Sequence, residues 1–224
     1  MAERFAIALA AARGTARHAL LSAALAGFGR PVIDADEETD AESVGADACL
    51  ILVDLDGPGL DRLVPAIRAS GGPGATVPIL GVTERGGAVD GAPPPLGLDA
   101  VVRVPPTPEV LAAAVAAWLP DGDAVVGARL AVLFGDTEVD PLVASLREQL
   151  AAAIVELDAF GASQHAHRLA GLAGLLDLSD VHRAWLALSE GDDSARADAR
   201  RVARVTVARI DRRRLSGGGR STSV

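Results

Sequence analysis

The chain contains no lysine and no tyrosine, and all 21 of its basic residues are arginine. Aromatic residues make up only 3% of the 224 residues. Because 50% of the residues are nonetheless hydrophobic, a packed core must be built from Ala, Leu and Val. These residues favour helices and buried parallel strands over sandwiches or barrels. Without lysine, every charge role that lysine commonly fills must fall to arginine or be absent.

Cysteine is nearly absent as well, because Cys49, which lies in an apolar run, is the single one. One cysteine excludes an internal disulfide framework and is typical of a reducing cytosol. The net charge of −9 argues against binding to nucleic-acid phosphates. No apolar run approaches the roughly 20 residues that span a bilayer, and no basic stretch of a signal peptide opens the chain. We expect a cytoplasmic protein that binds neither nucleic acid nor membrane.

In the first 120 residues, short apolar runs alternate with helical patterns and with breaks rich in Gly and Pro. Continuous apolar strands separated by helices indicate a parallel sheet that is covered on both faces. The sequence therefore predicts an α/β domain over residues 1–120, a doubly wound parallel sheet of the flavodoxin type. The predicted strands are 5–12, 31–33, 49–53, 77–82 and 100–104, and the predicted helices are 15–27, 40–45, 59–69 and 108–118.

The strand pattern ends at a predicted hinge, Pro120–Asp123. Helical patterns with short connections follow, which is typical of an all-α antiparallel helical bundle, here over residues 121–215. The predicted helices are 123–134, 137–157, 160–176, 179–190 and 193–213. Residues 216–224 include three consecutive glycines and are expected to form a disordered tail.

The most informative segment is the helical pattern that contains His167. One face is apolar and is predicted to face the core; it consists of Ala162, Ala166, Leu169, Ala173 and Leu176. His167, Gly171 and Gly174 fall at i, i+4 and i+7 and therefore share a neighbouring face. Each interior Gly costs roughly 1 kcal/mol relative to Ala, so two of them indicate a geometric need. That need is either room beside the imidazole for a bound group and an approaching partner, or tight packing between helices.

The residues around His167 read His-Arg-Leu-Ala-Gly171, and Leu176-Asp177 follows. This resembles the motif of histidine phosphotransfer domains, His-x-Leu-Lys-Gly followed five residues later by Leu-Gly. The His, both Leu and the first Gly match, whereas Ala170 stands in place of the Lys and an Asp in place of the last Gly. The resemblance covers about residues 122–214 and includes the long helical pattern before the motif.

This resemblance implies that His167 carries a phosphoryl group to or from the aspartate of a separate receiver domain, as a phosphocarrier rather than a turnover enzyme. The implied partners are receiver domains of response regulators or of hybrid histidine kinases. They supply the Mg²⁺, so no cofactor is expected on this chain. Imidazole suits this chemistry because it has an unprotonated, nucleophilic nitrogen near neutral pH. Since Ala170 carries no charge, Arg168 or Arg183 is expected to replace the family's Lys.

The other three histidines are interpreted as surface residues. His165 lies two positions from His167 and so projects from a different side of the helix. His18 and His182 belong to other predicted helices. Because Cys49 is far away in the sequence and no acidic pair is suitably spaced, the sequence predicts no metal site.

In the first domain, Asp54 ends a predicted strand and is followed by Leu-Asp-Gly-Pro-Gly-Leu-Asp61. Thr83 ends the next predicted strand, and Val104-Pro105 ends the last. These features resemble a response-regulator receiver domain over residues 4–120. The resemblance places Asp54 at the phosphate-accepting position and Thr83 at the switch hydroxyl.

Two departures predict that this receiver is degenerate. Receivers have two acidic residues after the first strand to hold Mg²⁺, whereas this chain has Ala10, Ala11 and Ala12. The position of their essential Lys aligns with Val104, one residue from Arg103. Phosphoryl transfer to Asp requires Mg²⁺ and a cation on the transferring oxygens. We therefore interpret the domain as a docking module. One form of such docking is a homodimer in which two copies of this domain contact each other.

Three hypotheses follow. In the first, His167 is a phosphorelay intermediate in two-component signalling. In the second, both domains are degenerate and the protein is a non-catalytic regulatory adaptor. In the third, Asp54 still receives phosphate and exchanges it with His167. The sequence leaves the cognate kinase, the direction of phosphate flow and the oligomeric state open.

Overall fold

The computed structural model describes residues 5–35, 39–57, 60–71, 73–84, 97–103, 107–119, 125–160 and 165–218. The chain divides into two compact units, Met1–Leu119 and Pro120–Val224. Within the described ranges, no helix is both long enough and apolar enough to cross a membrane.

The described part of the first unit contains a five-stranded sheet in which all neighbouring strands are parallel, as predicted. The strands are β1 (Ala6–Ala10), β2 (Val32–Ala35), β3 (Ala48–Asp54), β4 (Ile79–Thr83) and β5 (Ala100–Arg103). Their order, β2-β1-β3-β4-β5, is that of flavodoxin-like doubly wound folds. In such folds ligands bind at the carboxyl ends of the strands, where the strand order reverses, which here is the end of β1 and β3.

Four helices accompany these strands in the described ranges: α1 (Ala16–Ala26), α2 (Ala41–Asp47), α3 (Leu60–Ala69) and α4 (Pro108–Ala116). β1 and β3 are buried along their whole length, which explains their continuous apolar runs. β1 ends two residues before the predicted boundary, because Gly14 with φ +78° turns the chain into α1. The short helix predicted at 40–45 is present as α2, with the Asp40 side chain as its N-cap.

Arg68 connects α3 to the chain around β4 and β5, a contact that no sequence pattern indicated. Its guanidinium donates to Asp99 Oδ2 at 2.6 Å and to the carbonyls of Gly97, Ala75 and Val77. Asp99 is buried and also accepts from the backbone N–H of Ile79. Each of these buried polar groups therefore has a partner, as a stable interior requires.

The described part of the second unit contains five helices: α5 (Ala128–Phe134), α6 (Asp136–Phe160), α7 (Ala166–Leu175), α8 (Ser179–Ser189) and α9 (Arg196–Gly218). α7 packs on α8, and α9 packs on both α6 and α8. Their buried faces form one apolar core around the fully buried Trp185. Arg147 of α6 also donates through Nε and Nη2 to the two oxygens of Asp211 in α9, and these hydrogen bonds raise the pKa of Arg147.

Two boundaries in this unit differ from the prediction. α5 begins at Ala128 rather than near residue 123, because Gly127 at its N-cap has φ +75°. α9 continues to Gly218, beyond the predicted start of the tail at residue 216. The remaining residues of the predicted tail, 219–224, and the predicted hinge, Pro120–Asp123, lie outside the described residues.

Candidate functional site

His167 lies in the first turn of α7, and its side chain is exposed. The helix takes this orientation because its apolar face is buried against the core of the second unit, as the sequence predicts. The buried residues of that face are Ala166, Leu169, Ala170, Ala173 and Leu176, whereas Ala162 lies outside the described residues. His165, the N-cap residue, is exposed as predicted.

The two glycines that follow His167 have different surroundings. A Cβ placed on Gly171, one turn after His167, would meet nothing within 4 Å. A Cβ placed on Gly174 would lie 3.1 Å from Nδ1 of His182. Tight packing between helices therefore accounts for Gly174 but not for Gly171. The surface beside His167 is open at Gly171, whereas the His182 ring of α8 lies against Gly174.

His182 is half-buried, so its interpretation as a surface residue is wrong. Its Nδ1 lies 2.8 Å from the carbonyl oxygen of Ala170, and a carbonyl can only accept, so Nδ1 carries the proton. The ring fits there because Gly174 has no side chain. His18 is partly exposed, as expected of a surface residue, and its Nε2 lies 2.9 Å from Asp34 Oδ1. In both cases a nearby acceptor satisfies the imidazole, and a helical pattern alone does not reveal it.

Ala170 is 1% exposed, and this explains why the position holds a small residue. A lysine here would have to extend from inside the core, past His182, to bring its charge to the surface. The two arginines expected to replace it are both exposed. Arg168 donates through Nε to Gln149 Oε1 on α6 at 3.0 Å, and Arg183 pairs with Asp180 on its own helix at 2.6 Å.

The second group of chemically active side chains lies in the first unit, at the carboxyl ends of β3 and β4. Asp54 is the last residue of β3 and is 5% exposed. Its Oδ1 accepts from the backbone N–H of Asp56 at 3.1 Å. Asp56 in turn accepts from the hydroxyl of Thr83 at 3.0 Å and from the backbone N–H of Glu84 at 2.8 Å. Thr83 thus lies in the pocket with Asp54 but bonds to Asp56.

Arg17 of α1 also contacts these carboxylates, and no motif in the sequence indicates this. Its Nη2 lies 3.0 Å from Asp56 Oδ2 and 2.9 Å from Glu84 Oε1. Its Nη1 lies 3.8 Å from Asp54 Oδ1. The signal in the sequence is positional. Thr15 caps α1 by accepting from the backbone N–H of His18, so the first turn of α1 follows directly from β1, at the edge where β3 also ends.

These residues do not fit a Mg²⁺ ion. Mg²⁺ binds oxygen ligands in a nearly ideal octahedron, and here a guanidinium already contacts the carboxylates that would supply them. β1 ends at Ala10, which has no side-chain oxygen to offer a metal. In the described part of the chain, no three acidic, His or Cys side chains are grouped so as to hold a metal. Arg103 is exposed at the end of β5, and Val104 lies outside the described residues.

Comparison with known proteins yields little. No protein-family model matches the sequence, and no curated protein matches it significantly. Among solved structures, the chain is similar to the solution structure of a response regulator protein from Burkholderia multivorans, at 27% sequence identity. The similarity covers 54% of this chain and 98% of that one, with a TM-score of 0.37.

Proposed function

We propose that this protein is a phosphorelay intermediate of two-component signalling that carries a phosphoryl group on His167. The observation that supports this most is the open surface beside an exposed histidine: His167 is followed one turn later by Gly171, where a side chain would meet nothing within 4 Å. An interior glycine on an open helix face has no packing reason, and it costs stability. Access for a partner surface would explain both the exposure of His167 and the glycine at position 171.

The proposed step is a reversible transfer between the imidazole and an aspartyl phosphate on the receiver domain of a response regulator or hybrid kinase. The unprotonated ring nitrogen attacks phosphorus, the N–P bond forms, and the P–O bond to the aspartate breaks, releasing its carboxylate. The other ring nitrogen keeps its proton or loses it to solvent. Arg168 is adjacent to His167 and supplies positive charge for the phosphoryl oxygens, after its hydrogen bond to Gln149 opens.

The remainder of the second unit serves this role by holding α7 rigidly. The apolar face of α7 is buried, and α8 packs on it through the hydrogen bond from His182 to Ala170. In our proposal α6 to α9 form an antiparallel bundle of the phosphotransfer type, with the metal and acidic residues of the reaction supplied by the partner. A rigid support matters because transfer requires the nitrogen in line with the P–O bond.

A non-catalytic regulatory adaptor is the second candidate, and the surroundings of Ala170 favour it. No lysine can stand there without disturbing the core, and Arg183 is paired with Asp180 rather than directed by a fixed contact toward His167. In that case both units only bind partners. The two candidates differ in one property, which is whether the imidazole of His167 becomes phosphorylated.

The deciding experiment is a phosphotransfer profile of the full chain against radiolabelled, phosphorylated receiver domains from its source organism. We expect acid-labile, base-stable label on the wild type and its loss in His167→Gln. His165→Gln is the matched control, because it removes a neighbouring exposed imidazole from the same helix end, and it should label normally. A wild type that gains no label from any receiver, or equal labelling of His167→Gln, would refute the proposal in favour of the adaptor.

Two further expectations concern the first unit. Acetyl phosphate with Mg²⁺ should leave Asp54 unlabelled, since Arg17 contacts the pocket and the acidic residues after β1 are absent. Label that disappears in Asp54→Asn would support an internal relay between Asp54 and His167 instead. We also propose that this unit docks a partner protein or a second copy of the chain. Light scattering of the full chain tests the second case, because a homodimer has twice the mass of one protomer.

A further inference from the structure

The strongest feature outside the His167 surface is the contact of Arg17 with the carboxylates of Asp54, Asp56 and Glu84. We infer that Arg17 is the resident cation of this pocket, which holds the start of α1 against the ends of β3 and β4 and closes the pocket to divalent metal. This inference is independent of phosphoryl transfer on His167. It concerns the charge balance inside the first unit.

The charges show why a cation is needed at this position. Three carboxylates meet at one guanidinium. The side chains of Asp54 and Asp56 are 7% and 15% exposed, whereas that of Glu84 is 71% exposed. Like charges that contact the same cation repel each other, and the repulsion is strong where they are shielded from water, as at Asp54 and Asp56. Arg17, itself 13% exposed, is the cation that the structure places between them. Its Nη1 is buried, forms no hydrogen bond with the described residues, and points at Asp54 across 3.8 Å.

The hydrogen bonds show why the pocket is fixed in this form. Both oxygens of Asp56 accept: Oδ1 from Thr83, and Oδ2 from Glu84 N–H and from Arg17. Oδ1 of Asp54 accepts from Asp56 N–H. A metal would have to displace the guanidinium and the Thr83 hydroxyl together. Because Arg17 Nη2 contacts both Asp56 and Glu84, that exchange would break two ion pairs at once.

The matched control is Arg13, which lies in the connection from β1 to α1 and pairs with Asp34 instead. Its side chain is 63% exposed, so its ion pair is of the weak surface type. Arg13→Ala therefore removes one positive charge from the same stretch of chain without touching the pocket. Any effect of overall charge on metal affinity appears equally in Arg13→Ala and Arg17→Ala.

The test is thermal unfolding of the full chain with and without Mn²⁺ or Mg²⁺, together with calorimetric titration of Mn²⁺. Arg17→Ala leaves the carboxylates of Asp54, Asp56 and Glu84 without their cation. In their present positions they form no metal site, so binding requires that they, and above all the 71% exposed Glu84, shift toward the ion. We expect its Tm to rise by roughly 5 °C when the free metal is about ten times its Kd. The wild type and Arg13→Ala should show no metal-dependent shift, and neither should Arg17→Lys, which keeps the positive charge.

Equal metal stabilisation of the wild type, or a folded Arg17→Ala protein that ignores metal, would overturn the inference. If Arg17→Ala does not fold without metal, the double variant Arg17→Ala with Asp56→Asn tests whether repulsion between the carboxylates is the cause. Removing one negative charge should restore folding if repulsion between the carboxylates is the cause, and failure to restore it contradicts the inference. Folding of Arg17→Ala that depends on added metal supports it.

Discussion

The two units each present a group suited to phosphoryl chemistry, and their surroundings are opposite. His167 is exposed at the start of α7, with open space at Gly171. Asp54 is buried at the end of β3, in a network with Asp56, Thr83 and Arg17. One site is exposed with open space beside it, and the other is buried and is held by hydrogen bonds and ion pairs.

This difference indicates how chemistry and stability are divided in the molecule. In the proposed function His167 must meet a partner, and a helix surface gives it that access at the small cost of one glycine. A cluster of buried carboxylates needs compensation, and a cation that provides it also excludes other cations. Mutations at the first site should therefore change reactivity with little effect on folding. Mutations at the second should change folding.

The largest expected effect comes from Arg17→Ala. It leaves Asp54 and Asp56 shielded from water without their cation, and breaking such a pair costs about 3–5 kcal/mol of unfolding free energy. Arg183→Ala breaks an ion pair that is 75% exposed on both sides, and about 0–0.5 kcal/mol is expected there. Urea unfolding of the separate variants measures both values. If Arg17→Ala and Arg183→Ala lose similar unfolding free energy, Arg17 is no more buried in its contacts than an exposed arginine on a helix surface, and the comparison fails.

A smaller effect distinguishes the two glycines of α7. Gly171→Ala should raise the unfolding free energy by roughly 0.5–1 kcal/mol, because Ala is the better helix former and its Cβ meets nothing within 4 Å. Gly174→Ala should raise the unfolding free energy by less than this, or lower it, since its Cβ would lie 3.1 Å from His182 Nδ1. Urea unfolding of both variants measures the difference.

The control for this pair is His182→Ala, which removes the ring that Gly174 accommodates. In the His182→Ala background, Gly174→Ala should raise the unfolding free energy by about as much as Gly171→Ala does. Equal effects of the two glycine substitutions in the wild-type background would mean that the surroundings of the glycines do not differ as described. A bulky residue, as in Gly171→Trp, should leave the fold intact and slow the phosphotransfer proposed for His167.

The sequence predicts what depends on periodicity, and it misses what depends on contacts across the fold. Continuous apolar runs predict the parallel strands, and the helical pattern around His167 predicts which side of α7 is buried. The cation of the carboxylate pocket could not be predicted in this way. Arg17 is 37 residues from Asp54, and only the sheet order brings the start of α1 beside the end of β3. The position of His182 over Gly174 likewise depends on how two helices pack.

The smallest expected effect tests a feature that the two units share. Asp40 caps α2 and Asp192 caps the turn before α9, and hydrogen bonds from Ser43 and Ser194 respectively lower the pKa of each carboxyl below its usual value. A lowered folded-state pKa stabilises the fold above the unfolded pKa, near pH 4, and this stabilisation is lost as pH falls through the folded pKa. Asp40→Asn and Asp192→Asn should therefore lower Tm slightly at neutral pH and converge with the wild type as the pH falls below the folded-state pKa of each carboxyl. Ser43→Ala should weaken the same pH dependence in α2 alone, because it removes the largest cause of the shift at Asp40. A difference in Tm that persists unchanged in acid would show that these aspartates act through their shape as caps rather than through their charge.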